Sequence, residues 1–242
     1  MLPLTRHCIF VLVCAFVPAS HAQQGILYPP NPYPDHYFFA PSGLRANAGA
    51  RYLKNTSLVF FHSNKTKENG KSVGWGLIPT FLTGETTDIP IWLTAVKRWQ
   101  TRNPNINTWA GGFFLKLPED AESDGWIFHS GITFGNPEKN LSCGVLVGSF
   151  DKNSPPFKGI MLNGQVRLGR KSWLICENYL SPGAQTVTPV CLWGFRKKIS
   201  RSLMLELGAG WTKLRQEDAE SLSITTRYVP LPWFSLMFSR KK

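Results

Sequence analysis

The chain has 242 residues, of which 17% are charged and 13% aromatic, and its formal net charge is +12. The basic balance favours anionic partners, and for an exported chain these are lipid headgroups or small anionic solutes rather than nucleic acid. Basic runs interleaved with exposed aromatics are absent from the sequence. Beyond the first residues no stretch of 18 is wholly apolar, which excludes helical membrane spans.

The first 22 residues have the pattern of a cleavable secretory signal. Arg6 precedes an unbroken apolar run over residues 9–17, and the small residues Ser20 and Ala22 follow. This run is far shorter than the roughly 20 residues that a membrane-spanning helix needs. We therefore expect export and cleavage after Ala22. An exported membrane protein without apolar helices is expected to be a β-barrel, because lipid tolerates no unpaired backbone groups.

Residues 23–49 are rich in Pro, Asn, Gly and Ala, and we interpret them as an extended leader that plugs or caps the barrel. Residues 50–242 form the predicted barrel, in which turn residues separate runs that we read as strands. These runs are 50–63, 72–83, 89–100, 106–117, 125–136, 140–151, 157–169, 172–181, 188–198, 203–213 and 229–239. The first run or residues 222–228 would supply another strand. Because single-chain bacterial barrels have even strand numbers, we predict twelve strands, with ten as the alternative.

Alternation within the runs carries the fold prediction. In 159–169 one side is apolar (Ile160, Leu162, Gly164, Val166, Leu168), while the other carries Met161, Asn163, Gln165 and Arg167. Runs 126–134 and 203–211 alternate in the same way, since successive strand side chains point to opposite faces. A soluble sandwich also alternates, so it remains an alternative. Strands of about ten residues favour a tilted membrane crossing over a sandwich. Four tryptophans near run ends are typical of an aromatic girdle: Trp109, Trp126, Trp193 and Trp211.

The polar side of each run predicts the residues that line the barrel interior. In 106–117 the same reading places Trp109 with the apolar side and Lys116 with the interior. The full predicted interior set is Arg98, Lys116, His129, Gln165, Arg167, Glu177, Arg196 and Glu206. It is basic on balance, so an open lumen would favour anions, while a barrel filled by its own side chains is the alternative. Arg196 and Glu206 lie on consecutive runs and are expected to form a cross-strand ion pair.

Catalytic signals are weak. The candidate acid–base pair is His129 with Glu177, which would suit an enzyme acting on envelope lipid. His129 and Ser130 are adjacent, so they point to opposite faces and do not form a nucleophile–base pair. The sequence has no Gly-x-Ser-x-Gly elbow and no metal-ligand spacing, so we predict no cofactor and no metal.

Three cysteines follow the signal, so at most one intramolecular disulfide forms. If runs 172–181 and 188–198 are a hairpin centred on Gly183 and Ala184, Cys176 faces Cys191. The two alternatives are a disulfide in an oxidising compartment and two reduced thiols that face lipid.

Short motifs across the mature chain resemble a group of uncharacterised outer-membrane β-barrel proteins of Bacteroidetes. They are residues 37–44, 49–55, 164–169, 176–180 and 230–234. The resemblance implies a barrel in the outer membrane of a Gram-negative cell and carries no activity. The predicted function is thus a barrel without evident catalysis, either a narrow pore for small solutes or a structural or binding barrel. The lipid-modifying enzyme is the alternative, and the sequence leaves the oligomeric state open.

Overall fold

The computed structural model describes residues 42, 51–56, 60–66, 69–77, 91–116, 124–150, 155–181, 187–200, 202–218, 223–230 and 232–240. The predicted signal (1–22) and leader (23–49) lie outside the described residues, except for Ser42. Among the described residues, no helix has the length and apolar character needed to cross a membrane.

The described chain is built from antiparallel β-strands, which confirms the all-β prediction. Their bounds are β1 Arg51–Thr56, β2 Phe60–Thr66, β3 Lys71–Leu77, β4 Ile91–Gln100, β5 Ile106–Lys116, β6 Gly125–Gly135, β7 Lys139–Ser149, β8 Phe157–Gly169, β9 Ser172–Leu180, β10 Val187–Lys198, β11 Leu203–Asp218, β12 Ser223–Pro230 and β13 Trp233–Arg240. From β4 to β10 they match the predicted runs to within two residues at each end. The first predicted run divides into β1 and β2, and 222–228 supplies β12.

Strand pairing follows chain order. Every strand from β1 to β10 pairs with the next strand along the chain. β11 is longer and pairs along its other edge with two segments: β13 near its start and β12 towards its end. β13 also pairs with β1, so the first strand is hydrogen-bonded to the last.

The strand directions define two ends of the sheet. The turns after β4, β6, β8 and β10 lie at the end where β1 begins and β13 finishes, which we call the short-turn end. We call the other end the long-connection end. The chain connects β3 to β4 there through residues 78–90, and β5 to β6 through residues 117–124. Backbone hydrogen bonds close the short turns, as between Asn136 N–H and Lys139 O at 2.9 Å.

The two faces of the sheet differ in burial. On β8, Met161, Asn163 and Gln165 are buried, while Ile160 and Leu168 on the opposite side are exposed. Where its side chains are described, the exposed face is largely apolar, and these residues on it are each about half accessible: Val73, Trp75, Leu93, Phe128, Val145, Phe195, Leu207 and Phe238. The alternation predicted for 126–134, 159–169 and 203–211 is confirmed.

The buried face is less polar than predicted, because four tryptophans lie on it. Trp92, Trp109, Trp173 and Trp233 are all buried. Trp173 packs with Met204 and Met237. Trp233 lies so closely over Gly208 that an added Cβ there would come within 2.3 Å of the indole ring. Glycines thus provide the space that large interior side chains occupy.

The predicted faces of β5 are wrong. Trp109 lies on the buried face opposite Gly131, whereas the Lys116 side chain is 68% accessible on the exposed face, where it pairs with Asp124 at 3.5 Å. Both faces of this strand are apolar, with Phe113 on one and Phe114 on the other, so its hydrophobic pattern does not determine its orientation. Lys116 is therefore not an interior residue, and Trp109 is not part of a girdle.

The predicted cysteine pairing is also wrong. Cys176 pairs with Trp193 and Cys191 with Asn178, a register two residues away from the predicted one. Both thiols are free. A slip of two residues keeps both cysteines on one face, but it makes them diagonal neighbours at about 7–8 Å. A disulfide needs Cβ atoms about 3.5–4.5 Å apart, so the reduced alternative is the one observed.

Candidate functional site

Four ionisable side chains form a buried cluster, which we call the charged wall: Lys54, Glu177, Arg196 and Glu206. Arg196 and Glu206 are direct cross-strand partners, and Arg196 Nη2 lies 2.7 Å from Glu206 Oε1. The predicted ion pair is confirmed. Lys54 Nζ lies 2.6 Å from the other oxygen of Glu206. The cluster therefore links β1 to β10 and β11 across the position of β13.

Lys54 was not predicted as a member of this cluster. It lies on the first strand, and its carboxylate partner lies on the eleventh. The two come together only because β13 pairs with β1 on one edge and with β11 on the other. The pairing of β13 with β1 and β11 could not be predicted from any local pattern in the sequence.

Glu177 occupies the same wall on β9 and is fully buried. The hydroxyl of Tyr179, two residues further along the same face, donates a hydrogen bond to Glu177 Oε1. Asn163 lies opposite Glu177 on β8 and accepts the backbone N–H of Asn178 at 2.9 Å. Burial of a carboxylate is costly unless hydrogen bonds compensate it, so the contact from Tyr179 has a structural role.

Arg167 and Gln165 hold the short turn between β6 and β7. Arg167 Nη2 donates to Glu138 Oε1 at 2.8 Å, its Nε also donates to that carboxylate, and its guanidinium lies 4.5 Å from the centre of the Trp173 ring. Gln165 Nε2 donates to Pro137 O at 2.8 Å. Both residues lie on the predicted face, but their contacts anchor a turn.

Arg98 lies near the short-turn end of β4 and is buried. Its Nε donates to the carbonyl oxygen of Ser42 at 2.8 Å, and its Nη1 donates to Ser72 Oγ at 2.6 Å. Ser42 is itself almost inaccessible. A residue that precedes β1 is therefore held on the buried face by this arginine.

His129 lies against Trp109, with ring centres 5.3 Å apart. The Trp109 ring covers two glycines: a Cβ on Gly131 would lie 2.7 Å from it, and one on Gly144 would lie 3.1 Å from it. Around His129, the neighbouring side chains on this face are apolar and only half-buried. We call this region, formed by Val96, Phe113, Ile127, His129 and Leu146, the half-buried wall.

The structure separates His129 from Glu177. Strands β7 and β8 lie between them, which corresponds to about 14 Å around the sheet. The register places Glu177 level with Thr133, four residues from His129, or about 13 Å along the strand. General acid–base chemistry needs groups within hydrogen-bond reach, so the predicted pair is wrong. Within the described ranges, no group of three or more His, Cys, Asp or Glu side chains is placed to hold a metal ion.

No family model matches the chain, and no curated protein matches it. Solved structures do match. The KdgM porin aligns with a TM-score of 0.50 at 10% identity, over 79% of this chain and 98% of that chain. A KdgM porin in complex with disordered oligogalacturonate gives 0.49 at 10% identity over the same shares, and OmpT of Vibrio cholerae gives 0.42 at 12% over 88% and 75%. At these identities the likeness to the KdgM porin shows the fold alone.

Proposed function

We propose that this chain is an outer-membrane β-barrel protein, exported through its N-terminal signal, that forms a narrow pore for small solutes. The observation that carries the proposal is the exposed apolar face, which extends over a sheet whose first and last strands are hydrogen-bonded. Such a face is unfavourable in water and is suited to lipid. The porin fold of the similar structure supports the same conclusion.

In this proposal the barrel is closed and has twelve strands. β12 ends at Pro230, β13 begins at Trp233, and both pair with the same edge of β11, so together they count as one barrel strand. The short-turn end faces the periplasm, because outer-membrane barrels have short periplasmic turns and longer external loops. Membership of the Bacteroidetes barrel group stays a prediction from the short motifs.

The passage is proposed to follow the half-buried wall. Glu177, Arg196 and Glu206 have no accessible surface, so water does not reach that side of the interior. His129 and its neighbours remain partly accessible. The buried Ser42 supports the interpretation of residues 23–49 as a plug that narrows the passage at the periplasmic end.

Small anionic solutes are the proposed cargo. The buried face carries the cations Lys54, Arg98, Arg167 and Arg196. Lys54 and Arg196 share the carboxylate of Glu206, and Arg167 pairs with Glu138. Arg98 lies near the short-turn end of β4, and the positive charge that it adds to the buried face favours anions.

The test begins with gel mobility of the detergent-extracted protein, boiled and unboiled. A faster unboiled band is expected, since a closed barrel resists detergent. Planar-bilayer recordings then measure conductance and reversal potential, and a preference for anions is expected. Arg98→Gln should reduce that preference, whereas Lys116→Gln, a matched change on the exposed face, should leave it unchanged.

A heat-modifiable protein without conductance would favour the structural or binding barrel, and a single unshifted band from a soluble fraction would contradict the barrel.

A further inference from the structure

The exposed face carries a depression of about 430 Å³ at the short-turn end, between β6 and β9. Its floor is one cross-strand row in which Phe134 pairs with Leu141, Leu141 with Gly164, and Gly164 with Cys176. Two large side chains are thus followed by a glycine and a cysteine. Because these two side chains are small, the row leaves a depression above them. Its size falls within the range of about 300–1,000 Å³ that is typical of ligand sites.

The polar rim of the depression is rigid. Asn136 Oδ1 accepts the backbone N–H groups of Glu138 at 2.9 Å and of Lys139 at 3.0 Å. Gly135 has a φ of 107°, and a Cβ there would lie 2.2 Å from Lys139 O, so the turn requires glycine. Together with the contacts of Gln165 and Arg167 described above, these bonds fix the backbone from which Lys139 projects.

Basic residues surround the same end of the sheet. Lys71 and Lys97 are direct cross-strand neighbours, which is unfavourable unless an anion lies near both. Further basic side chains are exposed at this end: Lys65, Arg102, Arg170, Lys171 and Lys197. Of the described acidic residues at this end, Glu206 is buried on the other face and Glu138 pairs with Arg167. By contrast, the sequence between β5 and β6 at the other end contains Glu119, Asp120, Glu122 and Asp124.

We propose that this depression binds an anionic phospholipid of the leaflet at the short-turn end. One acyl chain lies over Gly164 and Cys176 beside Phe134 and Leu141, and the phosphate lies near Lys139 at the polar rim. Basic residues close to a membrane surface attract anionic headgroups, and the apolar floor supplies the chain contact. The inference rests on the proposed membrane location, because only a membrane protein presents this face to lipid.

Native mass spectrometry of the full mature protein in detergent tests the site, with added phosphatidylglycerol or phosphatidylcholine as the probe. The wild type should retain phosphatidylglycerol preferentially. Lys139→Gln should weaken retention of phosphatidylglycerol about fivefold, which corresponds to about 1 kcal/mol for one basic residue, and should leave phosphatidylcholine unchanged. Lys158→Gln, at the opposite end of the exposed face, is the matched control.

Gly164→Leu tests the acyl contact independently of charge. A Cβ at this position would lie 3.4 Å from Asn140 O and from Cys176 Sγ, which is ordinary contact, so the leucine fills the depression without a backbone clash. Retention of both lipids should fall alike. Gly169→Leu is the control, since nothing lies within 4 Å of its Cβ position.

Equal lipid retention by the wild type and both variants, in a protein that still shows the unboiled mobility shift, would overturn the lipid site alone. A dimer that Gly164→Leu dissociates, with lipid retention unchanged, would assign the depression to a second copy of the chain instead. Loss of the mobility shift in the wild type, with the protein in the soluble fraction, would overturn the barrel and the site together.

Discussion

The charged wall and the half-buried wall lie on opposite parts of the same buried face and differ in how they are filled. On the charged wall, Lys54, Arg196 and Glu206 satisfy one another and exclude water. On the half-buried wall, apolar side chains and His129 remain partly accessible. Ionisable residues on the buried face therefore do not by themselves mark the proposed passage. Here they stabilise the junction of the first and last strands, whereas the accessible surface lies among apolar residues.

The largest expected effect is from Glu206→Gln. The change removes the charge that Lys54 and Arg196 share and leaves two buried cations in a cluster whose remaining carboxylate is Glu177, at a cost of about 3–5 kcal/mol. Urea unfolding followed by the unboiled gel shift should show a clearly lower midpoint. The matched control is Asp124→Asn, which breaks the exposed pair with Lys116 and should leave the midpoint unchanged. An unchanged midpoint for Glu206→Gln would mean that the cluster does not stabilise the junction.

Gly131→Ala should disrupt the packing of Trp109 beside the half-buried wall. The added Cβ would lie 2.4 Å from Cys143 O and 2.7 Å from the Trp109 ring, so overpacking should cost about 1–3 kcal/mol. Gly169→Ala, which meets nothing within 4 Å, is the control for the loss of a glycine. Equal midpoints for the two variants would show that Trp109 does not pack as described.

Val96→Trp should narrow the proposed passage. The larger ring projects from the half-buried wall, so single-channel conductance should fall by roughly half while the mobility shift is retained. Ala95→Trp changes the adjacent residue on the exposed face and should leave conductance unchanged. If both variants conduct like the wild type, the passage does not follow this wall.

The smallest expected effect concerns the cysteines. Because Cys176 and Cys191 are diagonal neighbours, no disulfide between them is expected in the native protein. Mass spectrometry of peptides from unreduced protein should recover both thiols free. A linked peptide would show that the register is the one first predicted for β9 and β10.

Strand positions and most faces were predictable from the sequence. β8 was predicted over its observed bounds, because its two sides differ clearly in polarity. β5 was not oriented correctly, because both of its sides are apolar and the glycines of β6 and β7 accommodate Trp109. The cysteine register was wrong by two residues, since alternation fixes which face a residue occupies but not its partner along the strand.

The sequence by itself determined the antiparallel all-β fold, the Arg196–Glu206 pair and the apolar surface, because these depend on alternation within strands and on pairing between strands adjacent in the chain. Only the tertiary structure decided that Lys54 joins that pair, that Ser42 binds Arg98, and that His129 and Glu177 are far apart. These contacts depend on which distant strands become neighbours and on how the sheet curves. No local pattern records either property.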